Sequence, residues 1–388
     1  MRFIVLIGMI TLVSCGTDST SNPSTVDTSE GARAAGSMTL LVGSYTGAGT
    51  AAASPKGLYL CTLDNGKVKL TSSIEAGINP SYVAKHPTKS IIYVANEMDA
   101  SHNQTAGAVT AMAYDDNLQF SVLKSRPTNA VGTCHVSVNK SGTYVFAANY
   151  GGGNICGFPV GLDGSIGPSG PIKVDFTGSG PNQSRQGAPH GHYIGESHWG
   201  EIFAVDLGTD SIRTYAMEGG RLQPTNRSVS SLPGSGPRHI AFHLTERIFY
   251  VINELVGTID VWQDSGAGTY SRIQSIGTKD ADATGEAHSA AIKVSPSGNH
   301  LYASNRAENN NIAVFNILTD GKLELVGHHS TRGESPRDFD ISPDGKYMVI
   351  ANQNSNNLVT YSINPISGEL YDPKVTKGFT TPVSVLFL

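Results

Sequence analysis

The 388-residue chain has no long hydrophobic run outside its first fifteen residues. Even that run, Phe3 to Val13, is too short to cross a bilayer core of roughly 30 Å as a helix. No Lys/Arg-rich stretch occurs and the formal net charge is −5, so nothing argues for nucleic acid as a partner. Charged residues make up only 15% and aromatics 7%. Cysteine is scarce. Apart from Cys15 there are Cys61, Cys134 and Cys156, an odd number without metal-like spacing, which excludes a disulfide framework or a zinc site. They are expected to be small buried residues. No Asp-rich loop of the EF-hand kind is present, and neither a metal nor a cofactor is expected.

Glycine is abundant, at 44 residues, which suits many short strands joined by tight turns. The start of the chain reads as an export signal. Arg2 precedes the apolar run, and Leu12-Val13-Ser14-Cys15 resembles the bacterial lipobox, whose cysteine is lipidated and becomes the new N-terminus. Residues 16–37 are rich in Ser, Thr, Gly and Asp and read as a flexible linker. The expected organisation is therefore a signal over 1–15, a linker over 16–37 and a folded body over 38–388. Such a protein would sit in the cell envelope, facing the periplasm or surface, and touch the membrane only through a lipid on Cys15.

The body repeats. Six segments share an alternating apolar run, a turn and a second run that ends at Asn96, Asn149, Asp206, Asn253, Asn305 and Asn352, at intervals of 53, 57, 47, 52 and 47 residues. One further step back lands in Leu40-Leu41-Val42-Gly43-Ser44 and makes seven units. Turn dipeptides agree with this count: Asn65-Gly66, Asp116-Asn117, Asp163-Gly164, Gly219-Gly220, Ser265-Gly266, Asp320-Gly321 and Ser367-Gly368. About four strands per unit is the size of a propeller blade, whose faces are covered only by its neighbours. The expectation is an all-β, seven-bladed β-propeller. Met38–Ser44 begins the first blade at its second strand, and the chain's end, Thr381 to Phe387, supplies the missing innermost strand. Closure of this kind leaves no edge needing a partner, so a monomer is expected.

We name the strands of a blade A to D from the channel outward. The start of A and the end of B fall at one mouth. Mostly polar residues collect at both: Ser81, Cys134, His190 with His192, Arg238 with His239, His288, and Arg337 with Asp338 at the start of A, and Glu97, Tyr150, Glu254, Arg306 and Gln353, with the apolar Leu207, just after B. Buried charge is costly unless paired or used, so this mouth is the candidate site. The Asn residues that end strand B are read as structural caps of local turns.

The segments Ala188-Pro189-His190-Gly191-His192, Gly236-Pro237-Arg238-His239, Val251-Ile252-Asn253-Glu254, Ala287-His288-Ser289-Ala290, Ala303-Ser304-Asn305-Arg306 and Ser335-Pro336-Arg337-Asp338 carry a family resemblance. From about Met38 to Leu388 the chain resembles the lactonase family of seven-bladed propellers, which includes a bacterial 6-phosphogluconolactonase and the fungal carboxymuconate lactonising enzymes. The resemblance implies metal-independent chemistry on a small-molecule lactone or its open acid, with His190, Arg238, Glu254 and Arg306 at the catalytic positions. His192, His239, His288, Arg337 and Gln353 are expected to bind substrate. Glu254 or His190 is the candidate base, and the arginines suit an oxyanion, a carboxylate or a phosphate. The expected function is hydrolysis of a sugar-acid lactone. The alternatives are a lactone-forming cycloisomerase and a non-catalytic envelope binding propeller. Phosphogluconolactone arises in the cytoplasm, so an export signal argues for a different lactone.

Overall fold

The computed structural model describes residues 37–47, 57–102, 104–280 and 288–388. The expected signal, Cys15 and all but the last residue of the expected linker lie outside them. Among the described residues there are seven antiparallel sheets, each ordered A-B-C-D. The blade starting at Gly191–Glu196 carries one extra two-residue strand, Val229–Ser230. Among the described residues no helix is long and apolar enough to cross a membrane.

Closure follows the expected plan. Pro382–Phe387 is strand A of blade 1 and pairs antiparallel with strand B, Met38–Ser44, in the register Leu40↔Phe387 to Gly43↔Ser384. The core is likewise divided in seven. Each hydrophobic cluster straddles one blade boundary, as where Leu40 and Val42 of blade 1 meet Val349 and Leu358 of blade 7. Alternation explains this: the two faces of every sheet are apolar because each is covered by a different neighbour. Cys61, Cys134 and Cys156 are buried free thiols, as expected.

The outer hairpins fall at the seven expected turns, and three of them lock neighbouring blades. Tyr93, Tyr250 and Tyr302, each in a strand B, donate their hydroxyls to the carbonyls of Gly164, Gly321 and Gly368 in the hairpin of the next blade, at 2.8, 3.0 and 2.9 Å. Gly164 has φ +80°, and a Cβ there would stand 1.9 Å from Ile91 Cδ1, so both conformation and contact require glycine.

The residues that end strand B are structural in a way the sequence reading did not anticipate. Three of them reach the segment entering from the preceding blade in addition to any bond in their own turn. Asn96 Nδ2 donates to the carbonyls of Ala76 and Ile78, Asn305 Nδ2 to that of Thr278, and Asn352 Nδ2 to that of Thr331. Bonds across their own turn occur as well: Asp206 accepts from Gly208 N and Thr209 Oγ1, Asn149 Nδ2 donates to Asn154 Oδ1, Asn253 Nδ2 to Thr258 Oγ1, Asn305 Nδ2 to Asn311 Oδ1 and Asn352 Nδ2 to Asn357 Oδ1.

Candidate active site

Two backbone devices build the mouth. The residue following strand B donates its N–H to the carbonyl of the residue preceding strand A. Glu97, Tyr150, Leu207, Glu254, Gln353 and Tyr45 bond in this way to Asn79, Gly132, His190, Gly236, Ser335 and Thr381. Immediately after that bond, strand A carries a bulge. Its register slips in every blade, between Pro80 and Tyr82, Thr133 and His135, Gly191 and Tyr193, Pro237 and His239, Ser289 and Ile292, Pro336 and Asp338, and opposite Gly43 and Ser44 in blade 1. A bulge adds a residue without a ladder partner and re-aims its side chain. The skipped positions include Ser81, Cys134, His192, Arg238 and Arg337, so one repeated irregularity delivers the polar ring.

The bulge also sorts residues that the sequence reading grouped together. His190 and His288 precede strand A. His192, Arg238 and Arg337 occupy the bulge. His239 and Asp338 lie one step deeper, in the channel. There His239 packs with His135, Tyr82 and Tyr193, with ring centroids 5.3 to 5.9 Å apart, and fills the bore. Burial first, then the nearby Arg238, holds His135 down at about 3, and His239 and His192 are also held well below the ordinary histidine range.

A cavity of about 270 Å³ opens above this plug, lined by Tyr45, Glu97, Cys134, Tyr150, Arg185, His192, Glu254, Arg306 and Arg337. Its centre is Glu254, whose side chain is only 5% exposed. Arg238 Nε and Arg306 Nη2 lie 3.0 and 3.1 Å from Glu254 Oε2, and Arg185 Nη2 lies 2.6 Å from Oε1. Two of these guanidiniums are also tied to backbone. Arg238 Nη1 donates to Ala290 O and Arg306 Nε to His288 O, each at 2.7 Å. Arg238 Nε and Arg306 Nη2 meet the carboxylate as ion pairs, outside hydrogen-bond geometry, and are buried donors without a hydrogen-bond acceptor among the described residues.

The charges set one another. Burial alone would raise the Glu254 pKa, but Arg306, Arg238, His192 and Arg185 overcome it and hold the carboxyl far below its usual range. Burial lowers Arg238 and Arg306, while Glu254 draws both back up. Arg337 has no ion pair among the described residues; its guanidinium lies 5.5 Å from the Tyr45 ring centroid, and the Tyr45 hydroxyl donates to Glu97 Oε2 at 3.0 Å. Cys134 Sγ is 3.8 Å from His192 Nδ1. Burial, and then Glu97, pushes this thiol up to about 12, so it stays neutral and shapes the wall.

His190 stands beside the cavity. Its ring stacks on Tyr150 with centroids 4.3 Å apart, its backbone N–H donates to Asp206 Oδ1, and its Nδ1 lies 2.9 Å from Tyr150 O. His288 lies across Arg306, in an adjoining hollow with Ala307, Asn310, Glu334, Ser335 and Asn354. Gln353 follows strand B of blade 7 and does not line the cavity. Thus Glu254, Arg306, Arg337 and His192 share one cavity with Arg238 beneath it, His190 flanks it, and His239, His288 and Gln353 lie outside it. Two lining residues were missed by the sequence reading. Tyr45 occupies in blade 1 the place that Glu97 holds in blade 2, and extending the ring by one unit finds it. Arg185 comes from the connection between blades 3 and 4, which has no counterpart in the repeat.

A family model described as lactonase, 7-bladed beta-propeller, matches residues 39–387. The chain is 34% identical over 354 residues to the 6-phosphogluconolactonase of Bacillus subtilis, covering 89% of this chain and 97% of that protein. It is 32% identical over 320 residues to the 6-phosphogluconolactonase of Formosa agariphila, covering 79% and 87%. The solved structure of the periplasmic gluconolactonase of Pseudomonas aeruginosa superposes with a TM-score of 0.84 at 28% identity, covering 91% of this chain and 99% of that one. With its blades, its closure and nearly its whole folded length accounted for, the chain belongs to the lactonase family of seven-bladed β-propellers.

Proposed function

We propose that the protein hydrolyses a sugar-acid lactone to the open hydroxy acid, and that the substrate is unphosphorylated. The observation that carries this reading is the buried Glu254 carboxylate holding three guanidiniums in a cavity at the channel mouth. Attack of water on a lactone carbonyl creates an oxyanion, and Arg238 and Arg306 are fixed to receive it. Glu254, deeply ionised and paired, is a poor proton acceptor; it positions the arginines. His190 suits the base role better. A carbonyl only accepts hydrogen bonds, so Nδ1 carries the ring proton toward Tyr150 O and Nε2 keeps its lone pair. The base takes a proton from water, the C–O bond of the tetrahedral intermediate breaks, and the proton passes to the leaving ring oxygen. Arg337 and His192 contact the substrate from the bulge ring.

The export signal motivates the unphosphorylated substrate. In this reading Cys15 is lipidated, residues 16–37 tether a monomeric propeller, and the enzyme works in the cell envelope. A pH-stat assay with glucono-δ-lactone, its 6-phosphate and muconolactones tests the reaction. Turnover of glucono-δ-lactone well above the spontaneous rate supports it, and no acceleration on any lactone rejects it. Preference for a muconolactone would point to the cycloisomerase. Palmitate labelling that persists in Cys15→Ala would reject the anchor, and a dimer in sedimentation would reject the monomer.

A further inference from the structure

The three guanidiniums on Glu254 are held differently. Arg238 and Arg306 are clamped by backbone carbonyls, with side chains 3% and 12% exposed, whereas the Arg185 side chain is 31% exposed. Beyond Glu254 its hydrogen-bond partner is the Tyr150 hydroxyl, at a long 3.5 Å. The backbone beneath it is rigid by contrast. Asn182 caps the short helix Gln183–Gln186. The buried Gln186 donates from Nε2 to Leu207 O at 2.9 Å and Asp210 Oδ1 at 2.8 Å, and accepts at its carbonyl from Gly180 N. A fixed turn therefore presents a side chain with room to move over the cavity.

Moving it takes the hydrogen bond at Oε1 from Glu254 but leaves the carboxylate paired. Arg185 sits on Oε1, whereas Arg238 and Arg306 sit on Oε2, so the carboxylate keeps two cationic partners if Arg185 leaves. Four guanidiniums (Arg185, Arg238, Arg306 and Arg337) face two carboxylates (Glu97 and Glu254) around the cavity, which therefore favours an anion. A carboxylate matches the guanidinium fork and replaces one charge-assisted bond with another.

We infer that Arg185 is a partner-exchanging binding residue: it releases Glu254 Oε1 and takes the carboxylate of a hydroxy acid bound in the cavity. This rests on the lactonase reading for the class of ligand. Ring opening converts an uncharged lactone into such an acid, so Arg185 discriminates product from substrate and sets how strongly product is retained.

Calorimetric titration of the full chain with D-gluconate, and with sorbitol as its uncharged counterpart, tests this without needing turnover. Arg185→Gln should weaken gluconate at least tenfold, Arg185→Lys should weaken it less, and Gln183→Ala, an exposed position on the same turn, should bind as the wild type does. In the lactonase assay the gluconate inhibition constant of Arg185→Gln should rise by more than kcat falls. Unchanged gluconate affinity in Arg185→Gln overturns the inference, as does an equal loss for sorbitol or no gluconate binding by the wild type. Arg185-dependent binding in a protein that opens no lactone would uphold the exchange and reject the hydrolase.

Discussion

His190 Nδ1 lies 2.9 Å from the Tyr150 carbonyl oxygen, and the same imidazole stacks on the Tyr150 ring. One neighbour thus fixes both the tautomer and the tilt of the ring. His190→Gln should remain folded and lose kcat by about 10²–10⁴-fold, the usual contribution of a general base. Initial rates with glucono-δ-lactone check this, and a loss under threefold would remove His190 from the base role.

Glu254→Gln keeps the shape of the side chain and removes its charge. Arg185, Arg238 and Arg306 would then crowd a buried site without a carboxylate. Breaking a buried pair from one side costs about 3–5 kcal/mol, and this loss should appear as a lower urea midpoint at unchanged slope. Hydrolysis should fall at least a hundredfold because the arginines lose their positions. Full activity with a lowered midpoint would separate the cluster from catalysis.

Acid should weaken the fold through buried histidines before Glu254 is protonated. His135, His192 and His239 are held below their ordinary value of 6.5 when folded. Between the folded and unfolded values the unfolded chain binds more protons, so stability is full above about pH 6.5 and falls as pH drops. Each such histidine contributes up to about 1.4 kcal/mol per pH unit in that window. Glu254, depressed rather than raised, adds a loss of the same sign only below the ordinary glutamate range. Urea unfolding at pH 7, 6 and 5 should show this slope, and His135→Leu should flatten it by about one proton. A midpoint constant from pH 7 to 5 contradicts the account.

Strand Pro382–Phe387 completes blade 1, and Val385 and Phe387 belong to the cluster between blades 7 and 1. Deleting residues 380–388 should leave an open edge and an uncovered apolar face, giving aggregation or a non-cooperative melt. Gel filtration and near-ultraviolet circular dichroism would show it. A monomeric truncated protein with a sharp transition would mean that closure is dispensable.

Blade count, hairpins and closure were legible because each rests on a local signal repeated seven times. Strand alternation, turn glycines and the shared look of Thr381–Phe387 and Ser335–Ile341 reinforce one another. The site was partly legible for the same reason, since Glu254 and Arg306 occupy equivalent places after strand B. The bulge was not, because one residue without a ladder partner leaves no mark in an alternating pattern. It separates His190 from His192, and Arg238 from His239. Arg185 was invisible for the opposite reason: it lies on a connection that repeats nowhere and meets Glu254 across 69 positions of sequence.

The pairing that closes the propeller also gives it a direction. Strand B of blade 1 runs from Met38 toward Tyr45 in the cavity wall, so Met38 lies at the far mouth, where Leu388 N bonds Thr39 O. Met38 thus enters the ring on the face away from the arginines. A tag fused directly ahead of Met38 would therefore leave the arginine mouth clear for whatever diffuses past.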